Sequence, residues 1–307
     1  MLPTYERARY LRAALDSALA QTMPDFVVLI GDNSRSTETE AVVRTYDDPR
    51  IRYVRHPENL GQQGNWLWLI EHAETPFVAS LHDDDVWHPT FLADLLPHIE
   101  NDPSVSMVFS DFDVVDEDGA VLRAATDELR RRSHRETLPA GRLHLDLAAA
   151  LRLVAVWNAP QPAYCAVLRR SAVLATQFPA AIDPVYDIWL SYQIARRGEA
   201  FAYAPGVHTQ YRWHSGSSTN TGWAAQEDEI FSRIIVDNSG LGEVIDEIER
   251  YWAHIRWGRG VRLMSDPGRQ TESRTYLRSA ANRLDPARRL VAAAAGHSTA
   301  TWSALGT

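Results

Sequence analysis

The first 118 residues alternate between short runs of β-prone apolar residues and stretches whose apolar positions recur at helical spacing. This alternation constrains the fold more than any other feature. Strands separated by single helices pair side by side as a parallel sheet. Phe26 to Ile30, Ile51 to Val54, Phe77 to Leu81 and Val105 to Phe109 read as strands. The segments Tyr5 to Ala20, Thr37 to Tyr46, Asn65 to Glu74 and Phe91 to Asn101 read as helices, the first with Tyr10, Leu11, Ala14, Leu15, Ala18 and Leu19 on one face. The fold class is therefore α/β. In such sheets ligands collect beyond the carboxyl ends of the strands. Asp32 follows one strand and the consecutive Asp83, Asp84 and Asp85 follow another, so both are expected in one crevice.

The rest of the chain is less regular. Asp118-Gly119 closes a hairpin. The basic run Arg130 to Arg135 reads either as a solvated mobile loop or as a contact for phosphate or acceptor. Ala163 to Leu168, Phe201 to Tyr203 and Val207 to Trp213 are strand candidates, and Asp187 to Arg197 is a helix. Beyond Trp223 the pattern is helical as far as an alanine-rich tail, expected to be poorly ordered.

Composition excludes several chemistries. All 31 basic residues are arginine, which rules out a lysine Schiff base and a P-loop lysine. The single cysteine, Cys165, rules out an intramolecular disulfide and a multi-cysteine metal site. A formal charge of -9 disfavours nucleic acid or an anionic membrane as partner. No uninterrupted apolar stretch is long enough to span a bilayer and no signal peptide opens the chain, so a cytoplasmic location is expected. No dinucleotide-binding fingerprint is present, which disfavours a dehydrogenase.

Two readings of the aspartate triplet stand at this point. It is a solvated N-cap cluster for the helix starting near Pro89, or it holds a cation. Its place at the end of a buried strand favours the cation. Carboxylate oxygens suit Mg²⁺ or Mn²⁺, which keep waters and take phosphate oxygens as further ligands. A diphosphate leaving group needs that neutralisation.

Five segments together resemble the family 2 glycosyltransferases, inverting nucleotide-sugar enzymes with a GT-A-type, Rossmann-like sheet. They are Pro3-Thr4-Tyr5-Glu6-Arg7, the following YLRAALDSALAQT, LIGDNSRSTETE, RHPENLGQQGNW and LHDDDVWHPTFL. The likeness runs through residues 1 to 118 and resumes at 183 to 219, where VYDIWLSYQIARRG and YRWHSGSST match further motifs. It implies a catalytic domain over 1–222, with a nucleotide-sugar half (1–118) and an acceptor half (119–222). A helical extension follows over 223–307.

By this resemblance Pro3, Thr4 and Tyr5 wall the nucleoside, and Asp32 accepts the imide N–H of a uracil. Asp84 is the principal ligand of Mn²⁺ or Mg²⁺, with His214 as a further ligand or diphosphate contact. Asp83 lies near the ribose or the metal. Arg212 and the loop Ser215 to Thr219 face the phosphates. Asp187 is the base that deprotonates the acceptor hydroxyl, set against a plain helix N-cap, and Asp183 is the fallback. Asp85 either joins the site or shapes its turn. Trp157 and Gln161 fall near the acceptor pocket, core packing being the alternative for Trp157. Asn59 and Asn65 are candidate braces of the loop near the donor, with helix capping the preferred reading of Asn65. Two motif positions depart from the family: His82 stands where an aspartate is usual, and Tyr186 where a glutamate is. The opening strand is also short, so Met1 to Thr4 form a stub or the natural start lies upstream.

The expected donor is a nucleotide-diphosphate sugar, UDP-linked by preference. The acceptor is left open among glycan, lipid-linked glycan, natural product and peptide. A nucleotidyltransferase releasing pyrophosphate, and a non-catalytic nucleotide-sugar-binding module, are the rival functions. Arg256, Arg259 and Arg262 read as a solvated helix face, with peripheral membrane contact as the alternative.

Overall fold

A computed structural model describes residues 1–216 and 224–280. It has one compact unit from Met1 to Ile230 and a second from Phe231 onward.

In the first unit β1 (Leu2–Thr4), α1 (Ala8–Leu19), β2 (Val28–Asp32), α2 (Glu38–Val43) and β3 (Ile51–Arg55) form a β-α-β-α-β run. Its three strands pair in parallel in the order β1-β2-β3. Burial of Leu11, Ala14, Leu15 and Ala18 seats the apolar face of α1 on the core. The helix α3 (Gly61–His72) leads to β4 (Phe77–Ala79), β5 (Val86–Trp87), α4 (Phe91–Glu100) and β6 (Val105–Val115). Then come α5 (Arg123–Arg132), β7 (Gly141–Arg142), α6 (Leu147–Leu151), β8 (Ala166–Arg169), α7 (Arg170–Leu174), α8 (Tyr186–Arg196) and β9 (Ala200–Arg212). Here β6 and β9 pair in parallel, while β4 and β6 flank β8 antiparallel and β5 and β7 add antiparallel to β9. The α/β expectation holds.

The stub expected at Met1 to Thr4 is β1. It is knitted in on both sides, since the Met1 ammonium donates to the Ala79 carbonyl (2.7 Å) and Leu81 N–H donates to the Met1 carbonyl (2.9 Å). Burial lowers the pKa of that ammonium to about 5.

Four expectations shift for identifiable reasons. The strand expected to end at Phe109 continues to Val115. Past Ser110 its residues alternate, with Phe112 and Val114 buried and Asp111 and Asp113 half-buried, which is a half-covered strand rather than a turn. The two strands expected at 201–203 and 207–213 are one. Pro205-Gly206, which punctuates the sequence, is absorbed as a bulge with Gly206 at φ 124°, and the register slips between Ser110 and Asp111. Helix α3 starts at Gly61, ahead of Asn65, because a distant side chain caps it: Asp183 Oδ1 accepts from Gln63 N–H at 2.9 Å.

The fourth correction concerns the basic run. Arg130 to Arg132 end α5, and Arg135 is fully buried rather than solvated. Its guanidinium lies over the rings of Phe109 and Phe112 and donates to the carbonyls of Ser110 and Ala159. A buried charge is retained when its donors find acceptors.

The second unit contains α10 (Gly242–Leu263) and α11 (Gln270–Ala280), with α9 (Ala224–Asp237) straddling the division. Gly260 lets α10 and α11 approach: Ser273 Oγ donates to its carbonyl (2.7 Å), and a Cβ there would overlap the Leu277 side chain. Arg256 stacks over Trp252 (5.6 Å). The alanine-rich tail lies outside the described residues. No helix among the described residues is long and apolar enough to cross a membrane.

Candidate functional site

The carboxyl ends of β1, β2 and β4 open into a cavity of about 330 Å³. Pro3, Thr4 and Tyr5 wall it on one side, Asp83 and Asp84 on another, and Tyr186 and Asp187 line it from the start of α8. Gln161 also lines it. A shallower groove of about 620 Å³ shares Asn33 and Asn59 as walls. The crevice expected from the order of elements is therefore present, and it brings together residues more than a hundred positions apart.

The triplet turn is held by backbone and side-chain bonds together. Asp85 N–H donates to the His82 carbonyl at 3.2 Å, and Asp83 Oδ2 accepts from Tyr5 N–H at 3.2 Å, which ties the turn to the loop after β1. Asp84 Oδ2 meets Nη1 of Arg7 at 2.7 Å and Nε2 of His214 at 3.0 Å. Asp85 Oδ1 accepts from Arg212 N–H at 2.9 Å, while its Oδ2 is buried without a hydrogen-bond partner.

These surroundings separate the three carboxyls. Burial pushes Asp83 up to about 6, with the neighbouring Asp84 charge adding to it. Burial also opposes ionisation of Asp84, but the His214 hydrogen bond and the Arg7 charge hold it below the ordinary carboxylate value. Burial, with the charge of Asp84, raises Asp85 well above its usual range.

The arrangement suits a cation. His82, Asp84 and Asp85 offer ligand atoms within 4.8 Å of one another, and the orphaned Asp85 oxygen lacks only a partner. Oxygen and imidazole donors together fit a divalent cation such as Mn²⁺.

The departures from the motif meet. His82 Nε2 lies 3.4 Å from the Tyr186 hydroxyl, and the Tyr186 ring stacks on Trp66 at 4.7 Å. Burial lowers the His82 pKa and raises that of Tyr186, so both favour the neutral form.

Asp187 stands in the first turn of α8, whose N-cap position is Val185. It is half-buried, and burial raises its pKa to about 6, against the pull of main-chain N–H groups in its own turn. Asp183, the fallback, instead caps α3 and does not line the cavity.

Other expected contacts are placed differently. Asp32 is fully buried, with Oδ1 accepting from Ser34 N–H (2.8 Å) and Oδ2 from the Tyr53 hydroxyl (2.7 Å). Asn33 is the residue of that turn that reaches the cavity wall. Arg212 is buried with its guanidinium donating to the carbonyls of Asp84, Asp116 and Glu117, which makes it a brace beneath the turn. Only Ser215 and Gly216 of the expected phosphate loop fall within the described residues. Asn65 is not a cap: it sits inside α3, donating to the Gly31 carbonyl (2.8 Å) and meeting His56 Nε2 (3.0 Å). Asn59 accepts from Gly61 N–H at 2.8 Å. Trp157 stacks on His134 (4.6 Å) and does not line the cavity.

Arg7 was given no role by its sequence, although its position after a strand end was the signal available. Glu6, at φ 52°, turns the chain there, and its carboxylate accepts from Arg35 N–H (2.6 Å), Ser36 N–H (3.1 Å) and Ser36 Oγ (2.6 Å).

Comparison with known proteins adds the following. Residues 1–173, more than half of the chain, match the family described as Glycosyl transferase family 2. An uncharacterised glycosyltransferase of Rickettsia felis is 30% identical over 157 residues, 50% of this chain and 24% of that one. The Escherichia coli UDP-Glc:alpha-D-GlcNAc-diphosphoundecaprenol beta-1,3-glucosyltransferase WfgD is 28% identical over 87 residues, 28% of this chain and 34% of its own. The chain thus spans well under half the length of these curated relatives. Among solved structures, S. aureus TarS 1–349 in complex with UDP-GlcNAc shares the fold at a TM-score of 0.65 and 14% identity, over 96% of this chain and 86% of that one. The mannosyltransferase PcManGT of Pyrobaculum calidifontis, in complex with GDP-Man and Mn²⁺, does so at 0.57 and 18%, over 95% and 77%.

Proposed function

The chain belongs to glycosyl transferase family 2, and from that premise we propose that it is a metal-dependent, inverting transferase that moves a sugar from a UDP-linked donor to an acceptor hydroxyl. The observation that carries the reading is the pairing of two unlike carboxylates on one cavity. Asp84 is held ionised among nitrogen donors, and Asp187 has a pKa raised to about 6.

In this reading the nucleoside lies against Pro3, Thr4 and Tyr5, with Asn33 at the wall. Asp32 acts one step back, by holding the 32–34 turn through Ser34 and Tyr53. Asp84 and His214 hold the cation, with His82 and the orphaned oxygen of Asp85 as the further donors at hand. A divalent cation held by these residues would neutralise charge on the departing diphosphate. Asp187 accepts the proton of the acceptor hydroxyl while that oxygen attacks the anomeric carbon from the face opposite the diphosphate. A raised pKa makes it a stronger base than an ordinary aspartate, still ionised at neutral pH. The neutral His82–Tyr186 pair forms the wall that the donor sugar meets.

The printed names of relatives support a nucleotide-sugar donor: UDP-Glc for WfgD, UDP-GlcNAc for TarS and GDP-Man for PcManGT. The preference for UDP is tested by incubating the protein with Mn²⁺ and a panel of UDP- and GDP-sugars. Release of UDP, with a new β- or α-linkage of inverted configuration, is the expected result. Release of pyrophosphate would replace the proposal with nucleotidyl transfer, and nucleotide binding without turnover under any metal would leave only a binding module.

A further inference from the structure

The cavity holds a cation of the chain's own. Arg7 leaves the loop after β1, and its Nη1 donates to Asp84 Oδ2 at 2.7 Å and to Asp83 Oδ1 at 3.2 Å. Its Nη2 donates to the Gly216 carbonyl at 2.8 Å. The oxygen it grips is the same one that meets His214 Nε2 at 3.0 Å. A carboxylate oxygen already filled by two nitrogen donors has little room for a metal ion at about 2.1 Å. A dication placed there would also sit against a guanidinium, and like charges at such range repel.

We propose that Arg7 is a positioning residue that serves as the resident counter-ion of the aspartate cluster, competing with the divalent cation in the free enzyme and turning to the donor diphosphate when it arrives. The inference rests on the reading of Asp84 as a cation ligand and adds an order to its filling. The Arg7 side chain is 25% exposed and lines the cavity, so it has solvent to swing through. Its hold on Gly216 is an exposed bond to a neutral carbonyl, which a phosphate oxygen replaces with a hydrogen-bonded ion pair. Without a donor, the metal must displace Arg7 and leave it with nothing of equal charge. With a donor, the displaced guanidinium has phosphate to bond. Metal and nucleotide therefore favour each other's binding, and by linkage the enhancement is the same in both directions.

The test is Mn²⁺ binding to the full chain by calorimetry, with and without UDP, in wild type, Arg7→Met, Arg7→Lys, Arg9→Met and Asp84→Ala. Arg7→Met is expected to bind Mn²⁺ without nucleotide about tenfold more tightly than wild type, while the enhancement by UDP shrinks by about the same factor. Arg7→Lys keeps the charge without the fork and should fall between the two. Arg9 carries a positive charge two residues on, and its ion pairs among the described residues are with Glu117 and Asp118 at 4.0 and 3.7 Å. If Arg9→Met tightens Mn²⁺ as much as Arg7→Met does, the effect is a general field and the proposal is overturned. Unchanged or weaker Mn²⁺ binding in Arg7→Met overturns it too, and Arg7→Gln supplies the same reading should the methionine variant fail to fold. Asp84→Ala separates the two levels. Its loss of Mn²⁺ binding alongside an inert Arg7→Met leaves the metal site standing and removes only the inference. Wild-type Mn²⁺ affinity in Asp84→Ala removes both.

Discussion

The two sides of the cavity hold their carboxylates in opposite ways. On the β4 side, Asp84 is crowded by Arg7 and His214 and stays below the ordinary carboxylate pKa despite its burial. On the α8 side, burial dominates, the negative charge of Glu227 adds to it, and Asp187 rises to about 6. Two residues of one chemical type are thereby shifted in opposite directions, which fits the proposed division between a cation ligand and a proton acceptor. Their spacing in the sequence shows none of this. The partners that separate them come from the loop after β1, the end of β9 and helix α9.

Substitutions on each side are the most direct way to break that contrast. Asp84→Ala and Asp187→Asn are each expected to lower kcat/KM by about 10²–10⁴. Only the former should also abolish the Mn²⁺ dependence of UDP binding, as read by calorimetry. Equal loss of UDP binding in Asp187→Asn would erase the division of roles.

The pH profile sharpens it. In the proposed role Asp187 takes a proton only when ionised, so raising its pKa moves the acidic limb up, from the ordinary aspartate range to about 6. Rates should climb about tenfold per pH unit below that limb and level off above it. Asp83 titrates in the same region, so Asp83→Asn must retain the limb while Asp187→Asn loses it. A limb that follows Asp83 would shift the base assignment away from α8.

Smaller effects distinguish the supports of the two sides. In β2, a Cβ on Gly31 would overlap Asn65 Oδ1, the atom that meets His56. Gly31→Ala should therefore cost about 1–3 kcal/mol in denaturant unfolding. Ahead of α8, Asp183→Ala removes the cap on α3 and should cost about 1 kcal/mol, with kcat within about threefold of wild type. A collapse of kcat in Asp183→Ala would return the fallback base to consideration.

Much of the stretch from residue 1 to 118 was legible because local rules suffice there. Short apolar runs ending in turn residues marked β2, β3 and β4, and the place of Asp83 to Asp85 after a buried strand marked the crevice. Legibility failed where a side chain answers to a distant partner. Asn65 looked like a cap because Asp183, far along the chain, was invisible as the true one. Arg135 looked solvated because the rings and carbonyls that receive it come from β6 and from residue 159. Asp32 and Arg212 were read as ligand contacts from their motif positions, but their hydrogen-bond partners make them braces of neighbouring loops.

By itself, then, the sequence determined the alternation of strands and helices, the strand ends at which acidic residues gather, and the family to which those motifs belong, since each depends on residues close together in the chain. Only the tertiary structure decided which aspartate is held ionised and which is pushed up, that His82 and Tyr186 face one another, and that Arg7 occupies the aspartate cluster. Charge and burial act through space at a few ångströms, and those distances exist only once β1, β4, α8 and β9 have been brought to one crevice.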